Sequence, residues 1–238
     1  MSSDDLTLWM TPQFECGYFA ERISVNLLVD PAAPLDPVRY GTLLDLGFRR
    51  SGAQVYRPHC PGCQDCVATR IPVDRFLPSR AQRRCERRNA DLDVVLQGPG
   101  FREEHFDLYL RYQASRHPDS PMAEPDPQGY TSFLFAPWAE TWMVELRDGG
   151  QLLAVAVCDR VPAGLSALYT FFDPAESARG LGTYALLWQI AQVRRLGGRY
   201  VYPGYWIARH PKMAYKRRFR PLEIFQGGRW RLLRAEEG

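Results

Sequence analysis

The stretch Ala167-Leu-Tyr-Thr-Phe-Phe-Asp173-Pro174-Ala-Glu-Ser-Ala-Arg-Gly180-Leu-Gly182-Thr183 decides the fold. Its first six residues read as a strand that Asp173-Pro174 ends. Gly180 to Thr183 then opens an apolar helix running to about Arg195, and Tyr200-Val-Tyr202 follows as another strand. Strand, glycine loop, helix, strand is the order that sets backbone amides and a helix N-terminus against an anionic ligand. Just upstream, Trp142-Met-Val-Glu-Leu146, the Gly149-Gly150 turn and Gln151 to Asp159 read as a β-hairpin. The glycine loop therefore comes directly after an antiparallel meander, which gives it more weight than an isolated Gly-x-Gly.

Working outward, Tyr40 to Leu46 has the spacing of a short helix stopped by Gly47, and Gly47 to Tyr56 reads as a turn into a strand. Ala68 to Val73 is a further strand, Ser79 caps an arginine-rich helix through about Asn89, and Leu92 to Leu96 is a strand. Glu103 to His117 has helical periodicity through Phe106, Leu108, Tyr109 and Tyr112. Proline and glycine clusters mark loops at Pro31 to Pro34, Gln97 to Gly100 and Pro118 to Gly129. The class expected is α+β. The order of its second half resembles the acyl-CoA-dependent N-acetyltransferase (GNAT) superfold, a mixed sheet with flanking helices whose neighbouring strands splay to admit an acyl group. That superfold's loop usually carries Gln or Arg three positions before its first glycine. This chain has Ser177, which argues against CoA as the ligand.

The first 70 residues have a different character. Glu15-Cys16-Gly-Tyr-Phe19 is followed by His59-Cys60-Pro-Gly-Cys63-Gln-Asp-Cys66. Two residues between successive cysteines is the spacing at which a tight turn aims thiolates at one metal, with Cys16 able to close a tetrahedral site from a distant segment. Residues 1–70 are thus expected to be a small cysteine-containing module, organised on structural zinc or an iron–sulfur cluster, with 71–238 as the larger domain. The chain opens Met-Ser-Ser-Asp-Asp-Leu, with neither a basic start nor an apolar segment of signal-peptide type, and has no run long enough to span a bilayer. A cytosolic protein with no membrane role is expected, a compartment in which such cysteines more often hold metal than form disulfides.

The chain is 238 residues long, 45% hydrophobic, with a net charge of +3. The positive charge is concentrated. Residues 199–238 carry ten Lys and Arg against three Asp and Glu, and five arginines fall between Arg80 and Arg88. If the fold joins Arg80, Arg83 and Arg84 to Lys216-Arg217-Arg218-Phe219-Arg220, they form one phosphate-binding surface.

Six motifs in one order then carry a specific resemblance: Cys16-Gly-Tyr-Phe-Ala-Glu-Arg22; Gly47-Phe-Arg-Arg-Ser-Gly52; Tyr56-Arg-Pro-His-Cys60 with the two further cysteines; Pro78-Ser-Arg-Ala-Gln-Arg-Arg84; Tyr169-Thr-Phe-Phe-Asp-Pro174; and Tyr202-Pro-Gly-Tyr205 with Lys212-Met-Ala-Tyr-Lys216. Together, over residues about 14 to 225, they resemble the aminoacyl-tRNA–protein transferases of the arginyltransferase family. Short bacterial chains of this design place leucine on proteins whose N-terminal residue is Asp or Glu and so mark them for degradation. The resemblance implies leucyl-tRNA and such proteins as substrates, with arginyl-tRNA as the alternative donor. Family members often have Ser-Leu-Gly where this chain has Gly180-Leu-Gly182, so no role of a serine hydroxyl carries over.

The chemistry implied is attack of an α-amine on an ester that is already activated, so no cofactor is required. Tyr169, Asp173 and Tyr205, at strand ends facing the splay, are the candidates for proton transfer. Gly180, Gly182 and Thr183 suit an anion, Lys212, Lys216 and Arg218 suit phosphates at the tRNA acceptor end, and Arg22 or Arg80 suits the acceptor's carboxylate. An apolar slot from Leu152, Val155, Leu168 and Phe171 suits leucine, whereas Asp173 and Glu145 would serve arginine. The rival classes are an acetyl-CoA-dependent N-acetyltransferase, which leaves the cysteine module unexplained, and a non-enzymatic zinc-ribbon nucleic-acid binder, which leaves the glycine loop unexplained.

Overall fold

The computed structural model describes residues 6–116 and 126–237. The N-terminal part begins with β1 (Leu8–Met10), the short pair β2 (Phe14–Glu15) and β3 (Ile23–Ser24), and β4 (Asn26–Val29). Helix α1 (Pro37–Asp45) starts where the Asp36 carboxylate accepts the Arg39 N–H and Pro37 takes the first helical position. The stretch read as one strand beyond Gly47 is a hairpin, β5 (Arg49–Ser51) and β6 (Gln54–Pro58). Gly52 makes its turn with φ of +57°, and a Cβ there would lie 2.2 Å from the Ser132 carbonyl oxygen, so only glycine fits. These strands form a four-stranded antiparallel sheet in the order β1-β4-β6-β5, closed over Tyr40, Leu44, Phe48 and Val55.

Strand β7 (Val67–Pro72) carries the chain from the cysteine run into a second, larger sheet, so the expected division at residue 70 falls inside one strand. Then come α2 (Arg80–Arg88), β8 (Asp93–Gln97), α3 (Glu103–Arg116) and α4 (Pro127–Leu134). The loop expected from Pro118 to Gly129 lies largely outside the described residues, and its described end opens α4. The meander follows as β9 (Glu140–Asp148), β10 (Gln151–Val161) and β11 (Gly164–Phe172). After it run α5 (Leu181–Arg195), β12 (Tyr200–Trp206), the single turn α6 (Pro211–Ala214), a 3-10 turn (Tyr215–Arg218) and the hairpin β13 (Glu223–Gln226) and β14 (Arg229–Leu232). The eight strands lie in the order β14-β13-β7-β12-β11-β10-β9-β8, antiparallel throughout except for β11 with β12. A parallel pair requires a crossover, and α5 supplies it.

Both faces of this sheet are covered, which is why β10 reads as a near-continuous apolar run rather than an alternating one. Ala154, Ala156 and Cys158 face α5 and its Leu186, Leu187 and Ile190. Val155 and Val157 face Leu108 and Tyr109 of α3 and Tyr130 of α4. Further along that second face, α1 and the four-stranded sheet pack on Val161 and Tyr202. One buried ion pair fastens them: Arg50 donates two hydrogen bonds to Asp159, at 2.7 and 2.6 Å, with both side chains at most 1% exposed. Among the described residues no helix is long and apolar enough to cross a membrane.

Candidate functional site

Strands β11 and β12 pair only from Gly164 to Ser166 against Tyr200 to Tyr202. Their close approach there depends on Gly164, where a Cβ would lie 1.9 Å from the Tyr200 carbonyl oxygen. Beyond Tyr202 the pairing with β11 ends, while β12 stays paired with β7 on its other edge, first through Tyr200 and Val201 and, after a register shift, through Gly204, Tyr205 and Trp206. The two strands therefore part, and the gap in the ladder between the end of β11 and the end of β12 is the candidate cleft. Phe172 and Tyr112 meet edge to face on the β11 side, their ring centroids 5.0 Å apart. The segment from Pro211 to Arg218 reaches from β12 toward α3, where Lys212 donates to the Arg116 carbonyl at 3.1 Å.

Within this segment Lys216 turns inward and is only 3% exposed. Its Nζ is 3.5 Å from Met213 Sδ and 4.9 Å from the Tyr215 ring centre, and its Cε is 4.0 Å from where a Cβ on Gly204 would be. Burial, reinforced by the Arg49 charge, brings its ammonium pKa down to about 7. This corrects the sequence expectation, since a side chain so enclosed does not lie on a phosphate-facing surface. Arg49 is itself buried, donating to the carbonyls of Phe48 and Thr69 at 2.6 and 2.8 Å, with the Tyr202 and Tyr205 rings beside it. Sequence reasoning passed over Arg49, although a cation in a strand between two aromatic motifs was the available signal.

The three candidates for proton transfer are held in other contacts. Tyr205 is 5% exposed, and its hydroxyl donates to the carbonyls of Gly47 and Tyr56 at 3.1 and 3.3 Å. Tyr169 sits among Tyr109, Tyr112 and Phe133, with its hydroxyl 3.5 Å from Gln113 Oε1. Burial raises both phenol pKa values far above the physiological range. Asp173 starts a 3-10 turn, accepting from the Ala175 N–H at 3.0 Å and from Arg111 at 3.4 Å.

The two basic runs do meet. Gln82 of α2 donates to the Arg218 carbonyl at 3.2 Å, and Phe76 stacks on Phe219 at 6.3 Å. Arg80, Arg83 and Arg84 are exposed, as are Arg217, Arg218 and Arg220, so both runs leave cations in solvent on either side of this junction. The buried side of α2 abuts the glycine loop, where Cys85 contacts the Gly180 carbonyl at 3.4 Å and Asn89 donates to the Arg179 carbonyl at 2.9 Å. Burial raises the Cys85 thiol pKa and outweighs neighbouring Arg88, the reverse of what the arginines around it suggest. Gly180 caps α5 in the left-handed conformation at φ of +71°, with no side chain on the first amides of the helix. Gly182 lies against Phe172, and Thr183 bonds back to Gly180 through its own N–H.

The cysteines share one corner without forming a ligand set. Burial pushes the Cys66 thiol up to about 12, with Cys60, Cys16 and Cys63 near enough to add to the effect. Cys16 behaves oppositely, because backbone N–H groups of Tyr18 and Phe19, the Ser24 hydroxyl and Arg22 outweigh its burial. Arg22 lies against Cys63 at 3.6 Å and Asp65 at 2.8 Å, and Cys60 turns its thiol to the Val25 carbonyl. Among the described residues, no three His, Cys, Asp or Glu side chains gather into a group that could hold a metal ion. The expected metal therefore does not fit the thiols as arranged. Arg22 is likewise engaged locally rather than presented to the cleft.

Residues 14–84 match a family model described as "Arginine-tRNA-protein transferase, N terminus", and residues 104–226 match its counterpart described as the C terminus. The chain belongs to this family of aminoacyltransferases. A protein named aspartate/glutamate leucyltransferase from Halorhodospira halophila is 51% identical, covering 97% of this chain and 99% of that one. Proteins of the same name from Stenotrophomonas maltophilia and Nitrosococcus oceani are 50% and 47% identical, each over 95% of this chain.

Proposed function

We propose that this protein transfers leucine from leucyl-tRNA to the α-amine of proteins whose N-terminal residue is Asp or Glu, marking them for degradation. The observation that carries the reading is 51% identity, over almost the full length of both chains, to a protein named for that activity. The splay of β11 and β12 supports an acetyltransferase-like transfer domain in residues 71–238, with 1–70 as its N-terminal module. Work on charged tRNA suits the cytoplasm.

The cleft supports leucine over arginine. An incoming guanidinium would need a carboxylate, since burying it unpaired costs several kcal/mol. Glu145 is 1% exposed and already bonded to His105 and Arg147, each at 2.7 Å, while Asp173 is occupied by its turn and Arg111. Leu152, Val155 and Phe171, expected to line the slot, are closed into the core against α3 and α4.

In the mechanism we infer, the exposed arginines of α2 and the 3-10 turn hold acceptor-stem phosphates. The open amides at the start of α5 cradle a phosphate of the 3′ end. The α-amine then attacks the ester carbonyl: a C–N bond forms, the C–O bond to the terminal ribose breaks, and the amine's proton is passed to the departing ribose oxygen. Lys216 is the group best suited to relay that proton, because its amine is uncharged for part of the time near neutral pH. The reaction uses no metal or other cofactor. Incubation with charged tRNA and a peptide beginning with Asp tests the proposal: mass spectrometry should find one added leucine at the peptide's N-terminus, and an unmodified peptide would refute it.

A further inference from the structure

The edge of β11 that faces the gap carries main-chain groups with nothing to bond to. The Asp173 N–H donates to the Leu153 carbonyl at 2.8 Å, which ties Asp173 to β10. In an antiparallel pair, residues bonded to the neighbouring strand alternate with residues whose N–H and C=O point to the opposite edge. The register sets Phe172 opposite Ala154 and Thr170 opposite Ala156, so counting back from Asp173 it is Phe171 and Tyr169 that bond to β10. Phe172 and Thr170 therefore turn their N–H and C=O toward β12. The pairing with β12 has ended by then, since it covers only Gly164 to Ser166. Among the described residues no hydrogen bond engages these four groups. Both residues are half-buried, and an unpaired strand edge in such a place is an open row of donors and acceptors for another extended chain.

Lys216 fixes which end of that chain comes first. Ser166 is level with Tyr202, so two residues farther along each strand Leu168 comes beside Gly204, which adjoins the Lys216 side chain. From Leu168 to Phe172 is about 13 Å of extended strand, which the first three or four residues of a peptide span when its α-amine stands at Lys216. In a parallel pair each residue bonds to two residues of the neighbouring strand, one before and one after the residue beside it. We infer that the first three residues of the acceptor protein add to β11 as a short parallel strand. The residue-1 carbonyl accepts from the Thr170 N–H, the residue-3 N–H donates to the Thr170 carbonyl, and the residue-3 carbonyl accepts from the Phe172 N–H. The donor suits this edge less well, because an amino acid esterified to a ribose has no main chain repeating every second residue at about 7 Å. Binding through the main chain leaves the second and third side chains unread, as modification of many different proteins requires. The inference rests on the proposed transfer reaction and names the track that the acceptor follows in it.

Amide hydrogen exchange followed by NMR on the full chain, with no tRNA present, tests the track. In the free protein the Thr170 and Phe172 amides should exchange faster than those of Tyr169 and Phe171. A saturating peptide beginning Asp-Ala-Ala should slow Thr170 and Phe172 by about tenfold or more, and uncharged tRNA alone should not. Transfer kinetics then test the register. Replacing the residue-3 N–H of the peptide with an ester oxygen removes one bond to β11 and should raise KM about two- to tenfold with kcat little changed. The same replacement at residue 2, whose N–H faces away from β11, should cost less. Slow exchange of Thr170 and Phe172 in the free protein, no slowing on adding peptide, or slowing by tRNA in place of peptide overturns the track. An ester at residue 3 that costs no more than one at residue 2 overturns the register. Protection by the peptide in a protein that transfers no leucine refutes the reaction alone, while leucine transfer without protection refutes the track alone.

Discussion

Lys216 shows how one residue's role turns on which way it points. In the sequence it is the first of four cations in Lys216-Arg217-Arg218-Phe219-Arg220, and nothing in that pattern marks it as different. The 3-10 turn sets it inward with Phe219 while Arg217 and Arg218 stay outside. If it relays the proton, Lys216→Arg should lower kcat by about 10²–10⁴-fold, because a guanidinium does not give up its proton near neutral pH. The rise in wild-type activity through about pH 7 should disappear with it. A phosphate contact would instead tolerate arginine. The same group sets a stability trend. Between about 7 and the ordinary 10.5, the unfolded chain binds more protons than the folded one, so stability climbs with pH; below about 7 the folded state bears the full cost of a buried ammonium. Lys216→Met should therefore be more stable than wild type at pH 6.5 and lose this slope, as urea unfolding at pH 6.5 and 9 would register. Tyr169, Asp173 and Tyr205 were legible as strand-end residues, but hydrogen bonding to Gln113, a turn amide and two distant carbonyls depends on contacts that no local pattern records.

Among the elements, the legible ones were those with visible ends. Ser79 and Asn89 bound α2 as their cap chemistry predicts, with a reciprocal bond between Ser79 and Gln82. The meander and α5 follow from apolar runs bounded by glycine. The missed elements carry weak local signals: β1 and β4 are short edge or half-buried strands, and β13 and β14 are four-residue strands that each begin with a charged residue. That the two basic runs meet comes from tertiary packing at Gln82 and Phe76, beyond what charge counting reaches. If they bind tRNA, Arg83→Ala, Arg84→Ala and Arg218→Ala should each weaken binding and flatten the log–log salt dependence by about one unit or less. An unchanged slope in the triple variant would show these to be solvated charges only. The Arg50–Asp159 pair gives a second test at this scale. Arg50→Met leaves Asp159 buried and uncompensated, so urea unfolding should show a loss of about 3–5 kcal/mol, and a loss below about 1 kcal/mol would show that the pair does not fasten the N-terminal sheet.

At the scale of the whole molecule, the sequence carried the order of elements, while the structure supplied the way the N-terminal residues lie on the large sheet. Cys16, Cys60, Cys63 and Cys66 were correctly read as neighbours in space, because Cys-x-x-Cys spacing constrains a turn. The contact of Cys63 with Arg22, 41 residues away in the chain, is one that spacing does not reveal. Donor and acceptor specificity are tested together. The most direct measurement mixes leucyl-tRNA, arginyl-tRNA and acetyl-CoA, each with a distinct label, and offers the protein peptides beginning with Asp, Glu, Lys or Arg. The account predicts leucine on the Asp and Glu peptides, with the Lys and Arg peptides unmodified. Preferential transfer of arginine or of acetyl, or leucine on the basic peptides, would contradict it.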